Sequence, residues 1–282
     1  MFWDAEMGKS FKLHLEHNAT LDRVAATIVS FKNQNKDIEN LAATLNLQVS
    51  TFKRVFIFLR NISILSKKSP PELTSLGQVA AGIYQSNPDL LGEFLHLIIY
   101  NLHNQEPEKR FSWVYATVVQ QLWLRKEVLL SSTEKKSLVG EVIETGSQKF
   151  ELPASEIAFS SASIGGVLNW LRSLEPSVLE VKGSATRFSR RYFCAAPVLL
   201  KAVDAIYQQE HRTYGSKILL REDIQERLCQ MLLLDPSGLD NTLDNAKRTY
   251  DYDQNSFFDR GYEGGYGQWV MLTKSPEWTE LL

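Results

Sequence analysis

The stretch IENLAATLNLQVSTFKRVFIFL, Ile38 to Leu59, decides how the chain is read. Within it Ile38, Leu41, Ala42 and Leu45 fall at i, i+3, i+4 and i+7, the spacing that lines one side of a helix with apolar groups. After the turn Asn46-Leu47-Gln48-Val49, Ser50 is placed as an N-cap, and Phe52, Val55, Phe56 and Leu59 repeat the spacing. The turn is too short to hold another element, so the two helices read as a helix-turn-helix.

The neighbouring residues extend the motif. Leu21, Val24, Ala25 and Ile28 supply a preceding helix with the same apolar stripe. Downstream, Ile62 and Ile64 alternate with Ser63, Ser69-Pro70-Pro71 breaks the chain, and Thr74 is placed to cap a helix carrying Leu76, Val79, Ala80 and Ile83. Strand, turn and returning segment make a wing. Residues 1–86 therefore predict a winged helix-turn-helix unit, preceded by a short strand in which Phe11, Leu13 and Leu15 alternate with Lys12, His14 and Glu16.

Beyond it the sequence predicts a mainly α chain with small β-hairpins. Residues 87–150 read as a helical region, with helices around Leu90 to Leu102, Trp113 to Lys126 and Thr133 to Glu144. The first of these is apolar nearly all round and belongs in a core. Residues 151–198 read as a mixed helix and hairpin unit, with a helix near Ile164 to Leu174 and strands near Val178 to Val181 and Arg190 to Cys194. Residues 199–282 repeat the opening theme as a winged-helix-like unit: helices around Val203, Ile224 and Leu239, a turn at Asp235-Pro236-Ser237-Gly238, and a hairpin from Phe257 to Leu272.

Composition excludes several classes. With 282 residues, 44% apolar and 23% charged, the chain has the balance of a soluble globular protein. No apolar stretch reaches the roughly 20 residues of a spanning helix, and Met1 to Lys9 lacks a secretory pattern, so a cytoplasmic location is expected. Cys194 and Cys229 stand far apart, which argues against a disulfide framework or a structural zinc site. A net charge of −2 leaves any nucleic-acid contact to local patches.

Two such patches stand out. Lys53, Arg54, Arg60, Lys67 and Lys68 fall on the third helix and wing with no acid between Gln48 and Pro71, where DNA phosphates would be neutralised. Arg187, Arg190 and Arg191, with Lys182 beside them, interleave with Phe188 and Tyr192 and suit phosphate contact and stacking, although a solvated hairpin edge is the simpler account. Ile57 and Phe58 share the outer face of the third helix and suit partner docking or packing on the next domain better than base readout. From Asp251 to Leu282 the chain is acidic, which suits a protein partner better than DNA.

Catalytic signals are sparse, and no catalytic residue, cofactor or metal is expected. Gly261, Gly264, Gly265 and Gly267 lack the Lys-Ser/Thr ending of a phosphate loop and read as turn residues. Glu93, His96 and His103 lie at helical spacing, yet core or interface histidines are the stronger reading. His14 and His17 are expected on opposite faces of a strand, which disfavours a shared metal. Glu180-Val181-Lys182 resembles a fragment of an Mg²⁺-dependent nicking site, which would need Glu175 or Glu156 as a second acid.

The run Glu72-Leu73-Thr74-Ser75-Leu76-Gly77, then Asn87-Pro88-Asp89-Leu90-Leu91, the apolar helix ending at Leu102-His103, and Phe111-Ser112-Trp113 resembles a family of uncharacterised bacterial winged-helix proteins. Members are encoded beside phosphorothioate DNA-modification genes in phage-defence clusters. The similarity covers residues 36 to 120; the family's opening Gly-His-Glu-Thr-Phe motif is absent and its Asp-Pro stands reversed as Pro88-Asp89, so no catalytic role is carried over. The resemblance implies a DNA-processing accessory protein. The expected partners are duplex DNA, held mainly by its backbone, and proteins of the same assembly; a homodimer stays open, and a scaffold without direct DNA contact is the alternative.

Overall fold

The computed structural model describes residues 11–32, 38–183, 185–250 and 256–282. Met1 to Lys9, the side chain of Lys182 and the acids Asp251 and Asp253 lie outside the described residues.

After a short strand, β1 (Phe11–Lys12), the apolar stripes become α1 (Leu21–Lys32), α2 (Ile38–Thr44), α3 (Val49–Asn61), α4 (Ser75–Ser86) and α5 (Asp89–Gln105). Leu41 and Ala42 of α2 and Phe52, Val55, Phe56 and Leu59 of α3 are buried, as their spacing requires. Thr74 caps α4 by accepting from the Gly77 N–H at 3.1 Å. The cap expected at Ser50 is not formed: α3 starts two residues earlier, with Gln48 at its cap and no side-chain bond. Between α3 and α4 the expected wing contracts to one antiparallel bridge, Leu65 to Leu73, flanked by Ser66 N–H to Glu72 carbonyl and Thr74 N–H to Ile64 carbonyl bonds.

The middle of the chain runs α6 (Arg110–Leu124), β2 (Glu127–Leu129), α7 (Ser132–Phe150), β3 (Ile157–Ala158), α8 (Ser161–Leu171), β4 (Leu179–Lys182) and β5 (Ala185–Ser189). Strand β5 is the centre of an antiparallel sheet, with Phe188 opposite both Val128 and Leu179. Strands from both sides of the expected boundary at 150 therefore share one sheet. The three residues of β2 are too few, and too exposed, to show an alternating pattern, and their partner strand is distant in sequence. The expected strand at Arg190 to Cys194 is also displaced: β5 ends at Ser189, and Arg191 forms an isolated parallel bridge to Leu234.

The C-terminal part runs α9 (Ala196–Gln209), β6 (Ile218–Leu219), α10 (Glu222–Leu232), α11 (Pro236–Tyr250), β7 (Phe258–Glu263), β8 (Gly267–Leu272) and α12 (Trp278–Leu281). Strand β8 is central, between β6 and β7. The order of α6 to β5 thus recurs, apart from β3, which pairs in parallel with β1 in a separate two-stranded sheet. The turn expected at Asp235 to Gly238 is shorter than that. Leu233, at φ 52°, ends α10, and Pro236 opens α11, a position suited to its fixed φ. Gly238 then sits inside the helix, where a Cβ would collide with the Tyr192 carbonyl.

A continuous apolar core runs from Leu13 to Leu281 and joins these parts. Phe58 is buried rather than exposed, stacked on Trp170 of α8 at 5.4 Å between ring centroids and set edge-on to Phe111 of α6 at 6.0 Å. Such pairs add about 0.5–1.5 kcal/mol beyond area burial, and this one fixes the opening helices onto the middle unit. Among the described residues no helix is long and apolar enough to cross a membrane.

Candidate nucleic-acid interface

Helix α3 buries Phe52, Val55, Phe56, Phe58 and Leu59, which leaves Lys53, Arg54 and Ile57 on its outer face; Ile57 is 56% exposed. The loop inside the Leu65 to Leu73 bridge presents Lys67 and Lys68. Arg60 holds loop and helix together. Its guanidinium lies 4.4 Å over the Phe56 ring and donates to the Ser66 carbonyl at 3.1 Å and the Lys68 carbonyl at 3.0 Å. Arg60 is therefore a brace for the two lysines rather than a free cation. Lys53, Arg54, Lys67 and Lys68 are exposed, and among the described residues none forms a salt bridge or side-chain hydrogen bond.

The second cluster is differently placed. Arg187 faces its strand neighbour and pairs with Glu127. The guanidinium of Arg190 lies 3.7 Å over Trp123, donates to the Trp123 carbonyl at 2.8 Å and reaches Asp235 at 3.5 Å, with its side chain only 8% exposed. Arg191, expected on an open edge, is buried. It forms a two-pronged pair with Glu93 and donates from Nε to the Leu232 carbonyl at 2.7 Å. A buried guanidinium persists only with such partners, because an uncompensated charge is strongly disfavoured away from water. The alternating aromatics that suggested stacking platforms instead pack inward at Phe188, while Tyr192 stays exposed.

The Glu93-Arg191 pair belongs to a larger buried network. His96 Nε2 lies 2.7 Å from the Met231 carbonyl, which can only accept, so Nε2 carries the proton. His96 Nδ1 then accepts from the Tyr115 hydroxyl at 2.6 Å. Burial lowers the His96 pKa to about 4 and raises that of Tyr115 well above its ordinary value. His103 bonds Ser112 at 3.2 Å. His96 is a core group that joins α5 to α6 and α10, and the half-buried His103 adds a second bond from α5 to α6. The two thiols are equally inert: burial pushes Cys194 and Cys229 up to about 12.

The C-terminal helix presents mixed charge. Arg260 is held by Asp240 at 3.0 Å and Asp244 at 3.3 Å, and the last turn of α11 carries Lys247 and Arg248. At the hairpin tip Tyr262 and Tyr266 are more than 70% exposed, around the turn glycines Gly264 and Gly265. Helix α8, at the corresponding place in the middle unit, is covered: Trp170 lies under Phe58, Gly166 meets the Leu15 carbonyl, and Asn169 donates to the His17 carbonyl at 3.2 Å.

Among the described residues, the one group of three or more His, Cys, Asp or Glu side chains whose ligand atoms converge within 4.8 Å is His14, Glu16 and His17. Glu156, Glu175 and Glu180 do not form such a group of three. The expectation that His14 and His17 face apart is corrected by where the strand stops: β1 ends at Lys12, and a turn at His17-Asn18 swings the second ring back towards the first. Comparison with protein-family models, curated proteins and solved structures gave no match.

Proposed function

We propose that the chain is a non-enzymatic DNA-binding accessory component of a bacterial DNA-modification or phage-defence assembly, and that it grips the duplex backbone through Lys53, Arg54, Lys67 and Lys68. In this reading α1 to α4 form a winged-helix unit with a minimal wing. The repeated order from α6 to β5 and from α9 to β8, each with the last strand central, supports two further winged-helix units.

The observation that carries the proposal is the contrast among the three third helices. Helix α8 is buried, α11 is flanked by Asp240 and Asp244, and α3 alone of the three couples an open face to a braced pair of lysines. Lysine and arginine side chains without internal partners are the groups that release counterions from phosphates. The exposed Ile57 favours backbone contact over base readout, since it offers no hydrogen bond to a base edge. The assembly itself rests on the resemblance over residues 36 to 120.

Binding of a fluorescent duplex, followed by anisotropy at increasing salt, tests this. Affinity that falls with salt and collapses when the four cations are reversed supports the proposal; absence of salt-dependent binding at low ionic strength refutes it. A protein-docking scaffold is the second reading, favoured by exposed Tyr262 and Tyr266 on an acidic unit. It predicts co-purification with neighbouring gene products that survives the same charge reversal.

A further inference from the structure

We propose that His14, Glu16 and His17 form a binding site for one divalent transition-metal ion, with Zn²⁺ the expected occupant. Two imidazoles and a carboxylate are a borderline donor set, suited to Zn²⁺ and its first-row neighbours rather than to Mg²⁺ or Ca²⁺. Three protein ligands leave one position of a tetrahedral ion for water.

The frame beneath the three side chains is fixed. Leu13, Leu15 and Ala19 are buried at 1%, 0% and 1% exposure and anchor the segment on both sides of the ligands. The carbonyl of His17 accepts from Asn169 of α8 at 3.2 Å, and the carbonyl of Asn18 accepts from Arg23 of α1 at 3.0 Å. The segment is thus clamped between two helices while its polar side chains face outward.

The supporting bonds orient His14 and Glu16 as ligands, while His17 must give up the 3.3 Å contact between its Nε2 and the Asn18 side-chain amide to bind. His14 Nδ1 lies 3.3 Å from the hydroxyl of Ser163, a buried residue; with Nδ1 as donor, Nε2 presents the lone pair that a metal requires. Glu16 Oε1 accepts from the Asn18 backbone N–H at 3.0 Å and from its side-chain amide at 2.8 Å, which orients the carboxylate. The His17 ring centroid stands 6.4 Å from that of His14, and its Nδ1 is 3.9 Å from Glu16 Oε1.

Ligands about 2.0–2.1 Å from a tetrahedral ion are about 3.4 Å from one another, so closure around Zn²⁺ draws the present 4.8 Å limit in by about 1.4 Å. Rotation of two exposed imidazoles about their side-chain torsions covers that distance without moving the anchored backbone.

Isothermal titration of ZnCl₂ into the full chain, with Co²⁺ absorption to report coordination geometry, tests the site. The expected result is one Zn²⁺ per chain and a tetrahedral Co²⁺ spectrum. His14→Ala, His17→Ala and Glu16→Gln should each weaken binding more than about tenfold, the lower end of what even supporting partners contribute. His211→Ala, at an exposed histidine elsewhere, should leave binding unchanged. All three ligands are at least partly exposed, so circular dichroism should show the variants folded. Absence of saturable binding, or undiminished affinity in the folded His14→Ala/His17→Ala double variant, overturns the proposal.

Discussion

Reversing Lys53, Arg54, Lys67 and Lys68 to glutamate removes the four cations of the α3 edge that are exposed and free of internal partners among the described residues. Each phosphate neutralised contributes about −0.9 to the slope of log affinity against log salt, so four give about −3.6. A fourfold rise, from about 50 to about 200 mM salt, should then weaken wild-type binding about 150-fold. If all eight cations expected from the sequence engaged the duplex, the slope would be about −7 and the loss about 20,000-fold. The two outcomes are well separated. Anisotropy of a labelled duplex titrated with the full chain at several salt concentrations measures the slope directly. The fourfold variant should lose the salt-dependent component, and Arg187→Gln should leave the slope unchanged, because Arg187 already faces Glu127. A wild-type slope near −7, or an unaltered slope in the fourfold variant, would refute the assignment of the surface to α3.

The buried network and the helix glycines give further expectations. The native state holds His96 neutral down to about pH 4, whereas the unfolded chain takes up its proton below 6.5, so stability is full above pH 6.5 and declines as pH falls towards 4. The loss at pH 5 is about 2 kcal/mol; urea unfolding at pH 7 and pH 5 should show a smaller difference in His96→Gln, and equal differences would count against the assignment. Arg191→Ala strands the Glu93 carboxylate and should cost about 3–5 kcal/mol in urea unfolding, while replacing both partners by methionine should cost less than Arg191→Ala alone. Gly92→Ala should lower the melting temperature, since its Cβ would meet the Ser173 carbonyl; Gly82→Ala and Gly140→Ala, in helices with open space, should each stabilise by about 0.5–1 kcal/mol. Reversed signs in that series would indicate different packing at α5.

Periodicity and chain breakers alone placed the helices of the opening motif, the apolar α5 and the C-terminal hairpin. Each announces itself locally: Phe52, Val55, Phe56 and Leu59 repeat within one helix, and Gly264 and Gly265 mark a turn between strands. The cations of α3 and its loop were visible for the same reason, as an acid-free run between Gln48 and Pro71. Three features depended on partners far along the chain. Strand β2 pairs with β5 across α7 and α8, so the unit from α6 to β5 has no local signature. Arg191 is indistinguishable in sequence from a surface arginine, and only the arrival of Glu93 and the Leu232 carbonyl makes its burial tolerable. His14 and His17 read as opposite faces of a strand until the pairing of β1 with β3 stops after Lys12 and releases the chain into a turn. Local spacing thus fixes which side of a helix is apolar, whereas the availability of a charge or a ligand atom depends on what folds against it.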